Sequence, residues 1–189
     1  MSATLGPLVV KVGGSLYDLD DLKLRLAGWL ERQTADEVII VPGGGALVET
    51  IRHWDQMHHL GEEACHWLAL RTLAVNARFL AQLLLAANII DYVGQRRPGV
   101  SILDGYAFAS ADEARPGKLP HSWAVTGDSL AVRVAILAKA RELVLLKSVD
   151  LPAGIGWPQA ASMGVVDEYF CQVLPADLAV RVVNLRSSA

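Results

Sequence analysis

Val38-Ile39-Ile40-Val41-Pro42-Gly43-Gly44-Gly45 repeats, about thirty residues along the chain, the arrangement of Leu8-Val9-Val10-Lys11-Val12-Gly13-Gly14-Ser15. Each reads as a short apolar strand closing on glycines. A strand that stops at glycines just before a helix leaves backbone N–H groups at the helix start, with no Cβ to block an anion. A single Gly-Gly pair is more often a plain turn. Two clusters at equivalent strand ends, one preceded by Lys11, read instead as a cradle for phosphate, the lysine supplying a point charge to a phosphoryl group. Neither cluster fits Gly-x-Gly-x-x-Gly and no Gly-x-x-x-x-Gly-Lys-Ser/Thr occurs, so the dinucleotide and P-loop fingerprints are unsupported.

Outward from these turns, helical and strand patterns alternate. Residues 19–32 have helical spacing, 37–41 read as a buried strand, and 46–52 open a helix that breaks near Gly61 and resumes over 62–87. Strands are expected at 88–93, 100–103, 142–147 and 180–185, helices at 129–140 and 175–179, and a polar loop able to cover a site at 104–119. The expected fold is α/β: a three-layer αβα sandwich with a mainly parallel central sheet and ligands at the carboxyl ends of its strands.

The 189 residues suit one domain spanning 1–189, and 52% of them are hydrophobic. With 17 basic against 20 acidic side chains and no Lys/Arg stripe, no nucleic-acid partner is expected. The start, Met1-Ser2-Ala3-Thr4, lacks the pattern of a signal peptide, and no apolar run is long enough to span a bilayer. Two cysteines, Cys65 and Cys171, give neither a disulfide framework nor metal spacing. A cytoplasmic protein with no membrane partner follows, and homo-oligomeric assembly is expected as well.

Several side chains carry two readings. Asp128, in Val125-Thr126-Gly127-Asp128-Ser129, sits where helix caps sit, yet a carboxylate at that strand-to-helix edge could also fix Lys11. Lys147 ends the strand at 142–147 and reads equally as a solvated sheet edge or as a nucleotide phosphate or ribose contact. Glu62, Glu63 and His66, with His58-His59 just before, lack the His-Glu-x-x-His spacing, so no metal site is assigned. His66, His121 and Trp123 offer imidazole and aromatic surface suited to a flat ring, although Trp67 and Trp123 read as well as ordinary core.

Lys11-Val12-Gly13-Gly14-Ser15, Val41 to Gly45, Thr126-Gly127-Asp128-Ser129 and Leu145-Leu146-Lys147-Ser148-Val149-Asp150 together resemble the amino acid kinase family, in the family's order. The resemblance implies transfer of the ATP γ-phosphoryl group, with ATP and Mg2+ as cofactors. It implies that Lys11 stabilises the moving group, that Asp128 organises the lysines, and that Gly13, Gly14, Ser15 and Lys147 hold nucleotide phosphate. Gly43, Gly44 and Gly45, with His66, His121 and Trp123, would hold the acceptor. The segments 59–69 and 119–130 resemble a short archaeal-type branch of the family, whose acceptor is a phosphomonoester, converted to a diphosphate. Ser148 stands where many members carry an aspartate, and about forty residues follow Lys147. The expected division is therefore an acceptor lobe over about 1–140 and an abbreviated nucleotide side over about 141–189. A carboxylate kinase making an acyl phosphate, and a non-catalytic nucleotide- or anion-binding regulatory subunit, stay open as alternatives.

Overall fold

The structure is a computed structural model that describes residues 6–187; residues 1–4, read above for a leader, lie outside the described residues. Six strands form one parallel sheet: β1 (Leu8–Val12), β2 (Glu37–Pro42), β3 (Asn88–Ile90), β4 (Gly99–Leu103), β5 (Glu142–Lys147) and β6 (Val180–Asn184). Their order is β3-β4-β2-β1-β5-β6, and every neighbouring pair is parallel. The three central strands are runs of aliphatic residues buried on both faces, as a parallel sheet covered by helices requires.

Alternation along the strands builds two cores. Leu8, Val10 and Val12 of β1 join Val38, Ile40, Val144 and Leu146 beneath Leu22, Leu26 and Trp29 of α1 (Leu22–Glu31). Val9, Ile39, Val41, Leu143 and Leu145 point the other way, toward α4 (Gly105–Asp112), α5 (Gly127–Ala138), α6 (Trp157–Ser162) and α7 (Phe170–Val173). Between β2 and β3 run α2 (Ala46–His58) and the long α3 (Glu62–Leu83), whose Leu70 and Leu73 serve one core and Ala77 and Leu80 the other. This is the expected three-layer α/β sandwich.

The same alternation positions the site. Lys11 follows Val9 by two residues and Lys147 follows Leu145 by two, so both leave the sheet on the α5 side. Lys11 pairs in register with Leu145 on the adjacent strand. The two lysines therefore emerge next to each other at the carboxyl edge, facing the start of α5.

Three expectations are corrected. Residues 105–112, expected within a loop, form α4: Asp104 caps it by accepting the N–H groups of Tyr106 and Ala107, and Phe108 is buried beneath. Residues 175–179 form a turn, and the short helix lies earlier at Phe170–Val173. Phe170, fully buried against Trp157, anchors that helix, while the residue before Pro175 is extended, as a proline imposes on its predecessor. The strand expected over 88–93 stops at Ile90, where Gln95 Oε1 accepts the N–H groups of Asp91 and Tyr92 and turns the chain.

Candidate active site

Asp128 occupies the first turn of α5, one carboxylate between two ammonium groups. Lys11 Nζ lies 2.8 Å from Oδ1, and Lys147 Nζ lies 2.8 Å from both oxygens. The capping reading of Asp128 does not hold. Thr126 is the N-cap residue, and the N–H of Ser129 is taken by Asp167 Oδ2 at 2.9 Å, with Thr126 Oγ1 and Ser129 Oγ donating to the same carboxylate. Burial alone would raise the Asp128 pKa, but the charges and hydrogen bonds of Lys11 and Lys147 outweigh it and hold the carboxyl below its ordinary range. Lys147 is pushed down to about 8 by desolvation, then by the neighbouring Lys11, with Asp128 opposing both. Two ammonium groups around one carboxylate leave one net positive charge aimed out of the sheet edge, a charge state that an entering phosphate relieves.

The two glycine turns are packed against each other. A Cβ on Gly14 would fall onto Gly45 N, and one on Gly43 would come within 2.7 Å of Val12 O, so side chains are excluded where the turns meet. Gly45 also needs its glycine for a φ of 60°. The N–H groups divide in a way that corrects the expected roles. Gly13 N–H donates to Leu146 O and Gly43 N–H to Val12 O, both at 2.8 Å, so these two serve the sheet. Among the described residues, the N–H groups of Gly14, Gly44 and Gly45 have no partner and remain for an anion.

Two side chains aim the second turn. Buried Asn76 of α3 donates from Nδ2 to Gly43 O at 2.8 Å and to Gly44 O at 2.9 Å, and Tyr17 Oη donates to Gly43 O at 3.1 Å. With the carbonyls held on the α3 side, the N–H groups turn outward. Neither residue, nor Asp167, was singled out from sequence; an asparagine inside an apolar helical stretch is the signal that could have found Asn76. Ser15 Oγ lies 2.8 Å from Ser148 Oγ across the ends of β1 and β5, so Ser148 touches the first glycine turn.

Lys11, Gly14, Ser15, Gly44 and Gly45 line one end of a cavity of about 650 Å3, a size suited to a small molecule. Leu70, Leu73, Phe108 and Leu130 give it an apolar floor, and His66 and Trp123 form part of the far wall. His121 does not line the cavity. It stacks behind His66 at 4.2 Å between ring centres, donating Nδ1 toward Glu63 (2.6 Å) and Nε2 toward Glu113 (2.8 Å). Burial lowers the His121 pKa, but these two carboxylates more than offset it and hold it above the ordinary value. His66, desolvated and beside that imidazolium, is pushed down to about 4. Trp123 donates its indole N–H to Asp55 Oδ2 at 2.9 Å and carries Arg52 on its ring face. Lys147 reaches Asp128 but does not line the cavity.

No protein-family model matches this sequence. Known structures share its fold. The uridylate kinase of Archaeoglobus fulgidus superposes with a TM-score of 0.63 at 16% identity, covering 95% of this chain and 90% of that one. The UMP kinase of Bacillus anthracis gives 0.65 at 14%, covering 98% and 89%. The aspartate kinase of Synechocystis gives 0.60 at 16%, covering 93% of this chain and 38% of the larger one. In fold the chain is like these uridylate, UMP and aspartate kinases, and its glycine, aspartate and lysine motifs carry the sequence resemblance to the amino acid kinase family. Among curated proteins it is 26% identical over 148 residues to the (5-(aminomethyl)furan-3-yl)methyl phosphate kinase of Methanocaldococcus jannaschii, a match covering 75% of this chain and 66% of that protein.

Proposed function

We propose that this chain is an ATP-dependent small-molecule kinase that converts a phosphomonoester bearing an amine, of the aminomethylfuran methyl phosphate type, to its diphosphate in methanofuran-type cofactor biosynthesis. The observation that carries the reading is the Lys11–Asp128–Lys147 cluster, set beside unpartnered glycine N–H groups that line a cavity of small-molecule size. An acceptor phosphate oxygen forms a bond to the γ-phosphorus of ATP as the bond to the β,γ-bridging oxygen breaks and ADP leaves. The acceptor oxygen is already anionic near neutral pH, so no general base is needed. Lys11 and Gly14 hold the moving group, Gly44 and Gly45 hold the acceptor phosphate, Lys147 and Ser15 serve the nucleotide side, and Asp128 holds both lysines in place. Mg2+ would travel with the ATP phosphates: both Asp128 oxygens are engaged, and no cluster of three His, Cys, Asp or Glu among the described residues is arranged to hold a metal.

The cavity wall supports an amine-bearing acceptor. His66, uncharged near neutral pH, presents an imidazole lone pair where a second cation would repel an ammonium group. The reading extends to a cytoplasmic homo-oligomer, supported by exposed Trp54, Met57, Phe79 and Leu85 on α2, α3 and the turn after α3, and by the finding that no helix among the described residues is long and apolar enough to cross a membrane. ADP release with Mg-ATP, measured across this phosphomonoester, glutamate, aspartate and acetylglutamate, tests the acceptor class. Preference for the phosphomonoester supports the reading, and preference for a free carboxylate removes it.

A further inference from the structure

Arg52, two turns into α2, borders two hollows at once. It lines the 650 Å3 cavity and also a groove of about 350 Å3 that runs past Asp128 to Gly164 and Asp167. Trp123 and Thr126 share both linings, so Arg52, Trp123 and Thr126 form the wall where the hollows meet, beside the carboxylate that binds both lysines. The guanidinium carbon lies 4.2 Å from the Trp123 ring centre, and the ring is fixed by the bond from its N–H to Asp55. The indole is a shelf that holds the guanidinium flat while leaving its N–H edge open.

The other cations of the cavity are committed. Lys11 is on Asp128, Lys118 is 2.6 Å from Glu113, and Arg133 forms a two-pronged pair with Asp112 at 2.8 and 2.9 Å. Arg52 makes no hydrogen bond among the described residues; its carboxylate neighbour, Glu49, is 3.6 Å away with its side chain largely exposed. A pair of that geometry restrains a guanidinium weakly.

We propose that Arg52 is the third cation of phosphoryl transfer: its guanidinium binds oxygens of the phosphoryl group as that group passes to the acceptor in the cavity. This rests on the kinase reading above. A planar fork complements two point charges, because it can contact two oxygens of one phosphoryl group at once. Arg52 neither gains nor loses a proton in the step.

The test compares the parent with Arg52→Gln, Arg52→Met and Arg52→Lys. Calorimetric titration with inorganic pyrophosphate reads anion binding, ADP release with the phosphomonoester and Mg-ATP reads turnover, and thermal melting reads the fold. Gln and Met are each expected to weaken pyrophosphate binding about tenfold or more and to slow turnover at an unchanged melting temperature, with Lys recovering part of both. Met keeps the aliphatic stem on Trp123, so parent-like behaviour of Met beside a loss in Gln would reduce Arg52 to packing and overturn the proposal. Binding and turnover within twofold of the parent in both variants would overturn it too. Arg52-dependent pyrophosphate binding in a parent that releases no ADP would keep the anion contact and remove the kinase reading instead.

Discussion

Lys147 Nζ sits 2.8 Å from each carboxylate oxygen of Asp128, a symmetric contact between the end of β5 and the start of α5. The resemblance implies a nucleotide-phosphate contact for Lys147. The geometry makes it the partner of Lys11 across one carboxylate.

Asp128→Asn keeps the size of the side chain and removes its charge. Two largely buried ammonium groups then lose their counter-ion, so stability should fall by about 3 kcal/mol. Turnover, measured well below the melting temperature, should fall about 100-fold or more. Denaturant titration and ADP release check both. Parent-like values in either would break the assignment, since Thr126, not Asp128, occupies the cap position.

Lys147, with a pKa pushed down to about 8, should give kcat/KM an alkaline limb near that pH, as the free enzyme loses the ammonium. In kcat the limb should move upward, because bound phosphate favours the charged form. Stability should run the opposite way. The folded pKa lies below the ordinary 10.5, so between about 8 and 10.5 the unfolded chain binds more protons, and the Lys147 contribution to stability rises with pH there. A kcat/KM profile flat through pH 9 would show that the charge of Lys147 is not required.

Asn76→Ala frees the carbonyls of Gly43 and Gly44 that the amide now holds. The N–H groups of the second turn lose their aim, and the acceptor KM should rise about tenfold with a smaller change in the KM for ATP. Equal changes in both constants would point to general loosening of the fold. Gly14→Ala drives a methyl onto Gly45 N and should abolish turnover.

His121→Gln removes the imidazolium that ties residue 121 to Glu63 and Glu113. The folded pKa of His121 lies above its ordinary value, so its stabilisation is complete below pH 6.5 and is lost as pH rises through the folded value. The melting-temperature gap between parent and variant should therefore be widest in mild acid and narrow toward alkaline pH. A gap that widens with pH would contradict the charge state assigned to this histidine.

The strands and glycine turns were legible because both leave local marks: aliphatic runs of strand length, and glycines at the strand ends. Lys11 and Asp128 were legible from spacing and resemblance, whereas the sharing of Asp128 by two lysines depends on the register of β1 against β5, which no local pattern carries. Asn76, Tyr17 and Asp167 act through contacts 26 to 41 residues away along the chain, so nothing in their immediate neighbourhood announces them. α4 was hidden because polar Asp112 and Glu113 close a helix too short to show a clear period. His121 was expected against the acceptor, and its place behind His66 follows from pairing with Glu63, on a different element.

The central claim, that a phosphomonoester becomes a diphosphate, is tested most directly by phosphorus NMR of the reaction with Mg-ATP and the aminomethylfuran methyl phosphate. The account predicts loss of the monoester signal and growth of two mutually coupled phosphorus signals, distinct from those of ADP, in a product inert to hydroxylamine. An unchanged monoester signal beside a hydroxylamine-trappable product formed from an amino acid would contradict it.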